Sequence, residues 1–260
     1  MPSRLPRGRV WLAVAAAALI LVSLVPPAGG YARRFVFAET LQFLVFAAAA
    51  PALLVLGAPW RPLRRVVAWA GPGDAPRRGP GGPRRHSGFG RGVTALLGFI
   101  AAAVAWRLPV TVNALATVPG LALVEMVTLT GAGTALWLEL AESPPMLPHV
   151  SRPQRAALAA VAMWTIWILG YILGFSHVAW FVAYGHAGAL GAVADQEVAT
   201  GLMWAVPAVC FAPVVFVAAL TWLKDTEDPD EGLRAIVGAE RRPGRGGWPR
   251  PPRGWDSHSA

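Results

Sequence analysis

The sequence predicts an all-α integral membrane protein, a polytopic bundle of six transmembrane helices. Of its 260 residues, 55% are hydrophobic and only 14% are charged, whereas soluble domains carry about 25% charged residues. The apolar residues form long runs, each close to the roughly 20 residues that an α-helix needs to cross a bilayer. Short basic segments separate these runs, as loops separate spanning helices.

Six apolar runs span or nearly span the bilayer, and the first and third are the shortest. The first is also compatible with a signal peptide, because arginines precede it and small residues follow near Ala28–Gly30. The segment Phe175–Ala194 is apolar but interrupted by glycines, so a seventh helix competes there with a loop or short interfacial helix, which the glycines and aromatic residues favour. The six runs are Val10–Val25, Phe35–Gly57, Val93–Leu108, Pro119–Leu140, Arg155–Gly174 and Val198–Leu223.

The distribution of basic residues predicts that both chain ends lie in the cytoplasm. With six helices and the N-terminus inside, 20 of the 23 Lys and Arg residues fall in cytoplasmic segments, as the positive-inside rule requires. A seventh helix would place the Arg-rich C-terminal tail outside, so the rule favours six. Residues 10–223 then form the bundle, residues 1–9 a cytoplasmic N-terminus, and the Arg-rich segments 71–92 and 224–260 a disordered loop and tail.

Several function classes have no support in the sequence. The isoelectric point near 11.2 reflects arginines beside apolar helices, where they set topology and meet anionic lipid headgroups, and no nucleic-acid-binding motif is present. The single cysteine, Cys210, permits no internal disulfide. There is no nucleophile–base pair, nucleotide loop or metal-ligand set in a suitable context, so we expect no enzyme.

Ionisable residues within spanning runs are costly and usually mark a function or a paired structural core. Several polar residues lie at the predicted outer ends of the helices: Glu39, Arg107, Glu125, Asp195, Gln196 and Glu197. Three interpretations stay open for them: a rim that reaches water, a polar cluster inside the bundle that is structural or docks a partner, and a proton or ion pathway. Glu139, near an inner end, is expected to be solvated.

Three stretches carry a family resemblance. Glu39–Pro59 is similar to a helix with the pattern His-x-x-Gln-His, a proline and Leu-Leu-x-Leu-Gly-x-Pro. Trp106–Trp137 is similar to a Trp-His-Leu-Pro element followed by His-x-x-Glu-His and Gly-x-x-x-Trp, and Asp195–Trp204 to an Asp-Gln…Gly-x-Met-Trp signature. In this order the stretches resemble, over about residues 30–228, the CtaG-type assembly factors of bacterial cytochrome c oxidase. The matching residues are Gln42, Pro51, Leu53, Leu54, Leu56, Gly57, Pro59, Trp106, Leu108, Pro109, Pro119, Glu125, Gly133, Trp137, Asp195, Gln196, Gly201, Met203 and Trp204.

The resemblance implies a multi-pass protein of the bacterial cytoplasmic membrane that acts in the assembly of cytochrome c oxidase. Its partners would be oxidase subunits or other assembly factors, besides the lipid bilayer. The polar residues at the outer ends other than Glu197, together with Gln42, Met203 and Trp204, would then form the partner-docking cluster, although Met203 and Trp204 also suit ordinary packing. The alternative function is a small transporter or channel with a polar path near Glu39, Arg107 and Glu125.

The histidines of the family motifs are absent from this chain. Two histidines at i and i+4 share one helix face and can share one metal ion, and the resemblance implies that they handle copper in the family. That arrangement does not occur here, so we expect no copper cofactor, and a scaffold or partner-binding function becomes the prediction. His177 and His186, in the outer connection, are weak metal candidates. The residues at the five histidine positions are Glu39, Phe43, Arg107, Ala122 and Met126.

Overall fold

A computed structural model describes residues 7–60, 85–144, 146–176, 178–184 and 191–226 of the chain. The chain divides into two units, Met1–Leu220 and Thr221–Ala260. Of the second unit, residues 221–226 are described, and they are helical. The described residues are all-α and contain no strand. The elements are α1 Arg7–Leu24, α2 Ala28–Tyr31, α3 Val36–Leu44, a π-helical segment Val45–Ala49, α4 Ala50–Gly57, α5 Arg85–Arg107, α6 Pro109–Thr117, α7 Leu121–Leu140, α8 Arg152–Gly174, a 3₁₀ turn Val182–Tyr184 and α9 Ala192–Thr226.

Among the described residues, five helices are long and apolar enough to cross a membrane, and a sixth apolar helix, Gly8–Leu24, is shorter. The predicted polytopic helix bundle is therefore confirmed, and each predicted run coincides with a helix. The five spans are Val36–Gly57, Phe89–Arg107, Leu121–Leu140, Arg152–Gly174 and Ala192–Lys224.

Two connections differ from the sequence-based expectation. The disordered loop was predicted to continue to residue 92, but α5 begins at Arg85, because a helix that is already nucleated extends at little cost into adjacent residues. The connection after α5 contains an additional helix, α6, whose first residue is Pro109, a position that suits proline because its missing N–H has no partner in the first turn. Residues 71–84 and 227–260 lie outside the described residues, so the disorder predicted there stays a prediction. Disorder was also predicted for residues 224–226, but α9 continues through them to Thr226.

The connection between α8 and α9 was expected to be a loop, a short helix or a seventh span. The described residues there contain one helical element, the 3₁₀ turn Val182–Tyr184. Its aromatic residue Tyr184 is buried. In the described part, this connection is thus a loop with a single short turn, as the glycines favoured.

Pro51 accounts for the π-helical segment in the middle of the span Val36–Gly57. Proline lacks an N–H, and its ring clashes with the carbonyl four residues earlier, here that of Ala47. The helix widens into a π-helix over Val45–Ala49, and α7 packs on this segment. A Cβ atom added at Gly133 would lie 2.5 Å from the Ala47 carbonyl oxygen and 2.7 Å from Cγ of Pro51. Only glycine at position 133 allows α7 to pack this closely against the π-helical segment and Pro51.

We therefore expect Gly133→Ala to lower the free energy of unfolding by about 1–3 kcal/mol, because a backbone carbonyl and a proline ring cannot move aside cheaply. Gly131, in the same helix, faces open space, so Gly131→Ala should be neutral or stabilise by up to about 1 kcal/mol. Unfolding by dodecyl sulfate in mixed micelles, followed by circular dichroism, measures both. Equal effects at the two positions would contradict the assigned close approach.

Candidate functional site

Arg107 and Glu39, which the sequence analysis placed at one level of the bundle, form a buried ion pair. Arg107 is the last residue of α5, and its Nη2 donates to Oε1 of Glu39. Its Nη1 donates to Oγ1 of Thr40 over 2.9 Å, and its guanidinium carbon lies 4.3 Å from the centre of the Phe43 ring. The two charged side chains are 1% and 2% exposed. Carboxylate, hydroxyl and aromatic face together replace part of the water that the guanidinium has lost, while Nε of Arg107 has no hydrogen-bond partner among the described residues.

The helical geometry of α3 explains why three of its residues meet one guanidinium. Glu39 and Phe43 are four residues apart and therefore share a helix face, and Thr40 lies beside them. Glu39, Phe43 and Arg107 are three of the five positions at which the resemblance implies histidines. The residues that stand there in this chain thus contact one another in the interior, whereas a rim that reaches water would leave them exposed.

Glu125 and Gln42 adjoin this ion pair. Together with Glu39 they line a cleft of about 370 Å³. Glu125 is only 1% exposed, and its Oε1 has no hydrogen-bond partner among the described residues. The ion-pair cluster of Arg107, Glu39 and Glu125 therefore holds two carboxylates and one guanidinium. The guanidinium bonds to Glu39, and Glu125 has no bonded counter-charge among the described residues.

Asp195, in the first turn of α9, accepts hydrogen bonds from the start of α3. Its Oδ2 accepts from the backbone N–H of Val36 over 2.7 Å, and its Oδ1 from that of Phe37 over 2.8 Å. The residue preceding α3 provides no side-chain cap, so the first N–H groups of this helix depend on a carboxylate far along the chain. Asp195 is 2% exposed, and its negative charge lies at the favourable end of the α3 dipole.

Gln196 joins the end of α8 to the connection that follows it. Its Nε2 donates to the carbonyl of Leu173 over 2.8 Å, and its Oε1 accepts from the N–H of Trp180 over 3.1 Å. A carbonyl in the last turn of α8, which has no partner within the helix, is thereby satisfied. The side chain thus acts as a C-terminal cap and holds the connection in place.

Two residues that sequence reasoning missed join the same connection to α6: Asn113, in α6, and Tyr184, in the 3₁₀ turn of the connection. Asn113 Oδ1 accepts from the N–H of Ala183 over 2.9 Å, and the Tyr184 hydroxyl donates to the carbonyl of Val112 over 3.2 Å. Burial raises the pKa of the Tyr184 hydroxyl, so it remains a donor at any physiological pH. The partners of Asn113 and Tyr184 are backbone atoms in loops and helix ends, for which the sequence carries no recognisable pattern.

The remaining predicted site residues lie elsewhere or outside the described chain. Met203 is fully buried, and Trp204 stacks on Trp167 with ring centres 5.1 Å apart, so both pack between α8 and α9 and do not join the ion-pair cluster. His177 and His186 lie outside the described residues. Within the described ranges, no group of three or more His, Cys, Asp or Glu residues could hold a metal ion.

Glu139, at the opposite end of α7, was expected to be solvated, and this prediction was wrong. The residue is 2% exposed. Its carboxylate accepts from the backbone N–H of His149 over 3.0 Å and pairs with Nε of Arg91 at 3.1 Å. The connection after α7 folds back over the helix end, and its His149 N–H together with Arg91 of α5 replaces the water.

Comparison with known proteins identifies one family. A sequence model described as the cytochrome c oxidase caa3 assembly factor family (Caa3_CtaG) matches residues 2–225. The matched region contains the whole ion-pair cluster, as well as Asp195 and Gln196, which cap α3 and α8. No curated protein and no solved structure matches the chain.

Proposed function

The chain belongs to the cytochrome c oxidase caa3 assembly factor family, and we propose that within it the chain acts as a scaffold that binds a partner and does not ligate copper. One observation carries this proposal. The buried Arg107–Glu39 pair, covered by Phe43, occupies positions at which the resemblance implies histidines. A guanidinium has no lone pair for a metal ion, and the carboxylate beside it already neutralises the guanidinium.

The proposed location is the bacterial cytoplasmic membrane, with the ion-pair cluster at the outer end of the bundle. Five spanning helices and the asymmetry of basic residues support this placement. The partners would be cytochrome c oxidase subunits or other assembly factors, because members of the family act in the assembly of that enzyme. Docking would occur at the outer end, where Asp195 and Gln196 hold helix ends and loops in a fixed arrangement.

Haem spectra of membranes from a deletion strain test this function. We expect the oxidase signal to fall in the deletion strain and to return with the wild-type chain. Added copper should not restore it, because a scaffold is needed at any copper concentration. A Glu142→Gln chain is the control for complementation by a variant, since the Glu142 side chain is 67% exposed just beyond the C-terminal end of α7, away from the proposed docking end, and it should complement fully.

Two outcomes would contradict the proposal. A deletion strain with a normal oxidase signal would remove the chain from assembly. Restoration of the signal by copper alone would assign the chain to copper delivery. Purified chain in liposomes tests the transporter alternative separately, because an assembly scaffold should produce no solute uptake.

A further inference from the structure

The cleft beside the ion pair carries charges of both signs. It has a volume of about 370 Å³ and lies between the α1–α2 connection and the first turns of α3 and α7. Glu125 in its lining is 1% exposed, and Oε1 of this residue has no hydrogen-bond partner among the described residues. Arg33, which also lines the cleft, is exposed at its rim. The cleft thus combines an unsatisfied buried acceptor with an accessible guanidinium.

An apolar groove of about 320 Å³ adjoins this cleft and shares Ala32 and Gln42 with it. Its other lining residues include Tyr31 and Leu41, which are 53% and 44% exposed. Leu41 belongs to a spanning helix, so its exposed face meets lipid. The charged cleft therefore continues into a groove that is open to hydrocarbon.

We propose that the cleft and groove bind one phospholipid whose headgroup carries a free ammonium group, of the phosphatidylethanolamine type. The ammonium would lie at Glu125, the phosphate at Arg33, and an acyl chain along the groove past Leu41. This site does not depend on the proposed assembly function.

Each chemical group of this lipid is complementary to one feature of the site. A buried carboxylate is costly unless a cation or a hydrogen-bond donor satisfies it, and an ammonium group provides a positive charge and three donors. A guanidinium at the rim binds phosphate oxygens through two parallel hydrogen bonds. A water-soluble amine would use the cleft but leave the groove empty, whereas a phospholipid fills both.

Lipids that differ only in the headgroup separate the contribution of the ammonium charge from that of its N–H donors. Native mass spectrometry of the full-length chain in detergent would compare phosphatidylethanolamine, phosphatidylcholine and phosphatidylglycerol with identical acyl chains. Phosphatidylcholine has no N–H donor, and phosphatidylglycerol has no cation. We expect phosphatidylethanolamine to bind about tenfold more tightly than either, as one charge-assisted hydrogen bond allows.

Variants of the two charged residues locate the site. Glu125→Gln should lower phosphatidylethanolamine affinity about tenfold and leave phosphatidylglycerol unchanged. Arg33→Gln should weaken all three lipids because they share the phosphate. Arg34→Gln is the matched control, since Arg34 is an exposed neighbour that is not among the residues lining the cleft, and it should bind like the wild type.

Three results would overturn the proposal. The first is equal affinity of the wild type for phosphatidylethanolamine and phosphatidylglycerol. The second is unchanged phosphatidylethanolamine binding in Arg33→Gln, an exposed substitution that should not impair folding. The third is equally tight binding of soluble phosphoethanolamine, which would exclude the groove. If Glu125→Gln does not fold, the lipid preference of the wild type and the Arg33→Gln result decide the question.

Discussion

Replacement of Arg107 by leucine should lower the free energy of unfolding by about 3–5 kcal/mol, because Glu39 would keep a buried carboxylate without its cation. Glu39→Leu should cost a similar amount for the converse reason. The double change Arg107→Leu with Glu39→Leu should cost less than either single change, because it leaves neither charge of the pair unpaired. Unfolding by dodecyl sulfate in mixed micelles measures all three variants, and the double-mutant cycle gives the coupling energy.

A half-exposed ion pair in the same chain provides the control for this cycle. Arg155 and Glu142 pair at 3.4 Å with side chains 19% and 67% exposed, so their coupling should be only about 0–1 kcal/mol. The charge swap Glu39→Arg with Arg107→Glu should recover part of the stability lost in the single variants. Neutral single and double variants at the buried pair would show that these residues do not stabilise the fold.

Asp195→Ala should lower the free energy of unfolding by about 2–4 kcal/mol, since it removes two charge-assisted hydrogen bonds and leaves the buried N–H of Val36 unsatisfied. Asp195→Asn keeps an acceptor but not the charge, so we expect an intermediate loss. The same dodecyl sulfate titration measures both variants.

Glu197→Ala is the matched control for Asp195, because Glu197 belongs to the same first turns of α9 and is exposed. Its effect should stay within about 0.5 kcal/mol. Equal losses at the two positions would assign the effect to the helical propensity of α9 and contradict the capping of α3.

The helices of this chain were largely predictable because membrane insertion depends on the apolar composition of each run. Boundaries were not predictable to the same degree. The start of α5 at Arg85 and the helix α6 lie in polar or Pro-containing segments, where composition does not distinguish a helix from a loop. The π-helical segment before Pro51 also had no signal beyond the proline itself.

The candidate site was predictable where charges had to find a counter-charge inside an apolar bundle. Arg107 and Glu39 are such a pair, and the resemblance placed both at positions where the family motifs have histidines. The capping bonds of Asp195 and Gln196 were not predictable, because their partners are backbone groups of Val36 and Leu173, and every residue has such groups. Glu139 was misassigned because the chain after α7 folds back over it.

The bonds from Asp195 to α3 also constrain the order in which the protein is completed during synthesis. The span Val36–Gly57 is translated early. The carboxylate that satisfies its first N–H groups belongs to Asp195, which is translated 159 residues after Val36. A nascent chain that stops before α9 therefore lacks the side-chain cap of α3. Chains truncated before residue 195 would carry this defect permanently, because no later residue could supply the carboxylate.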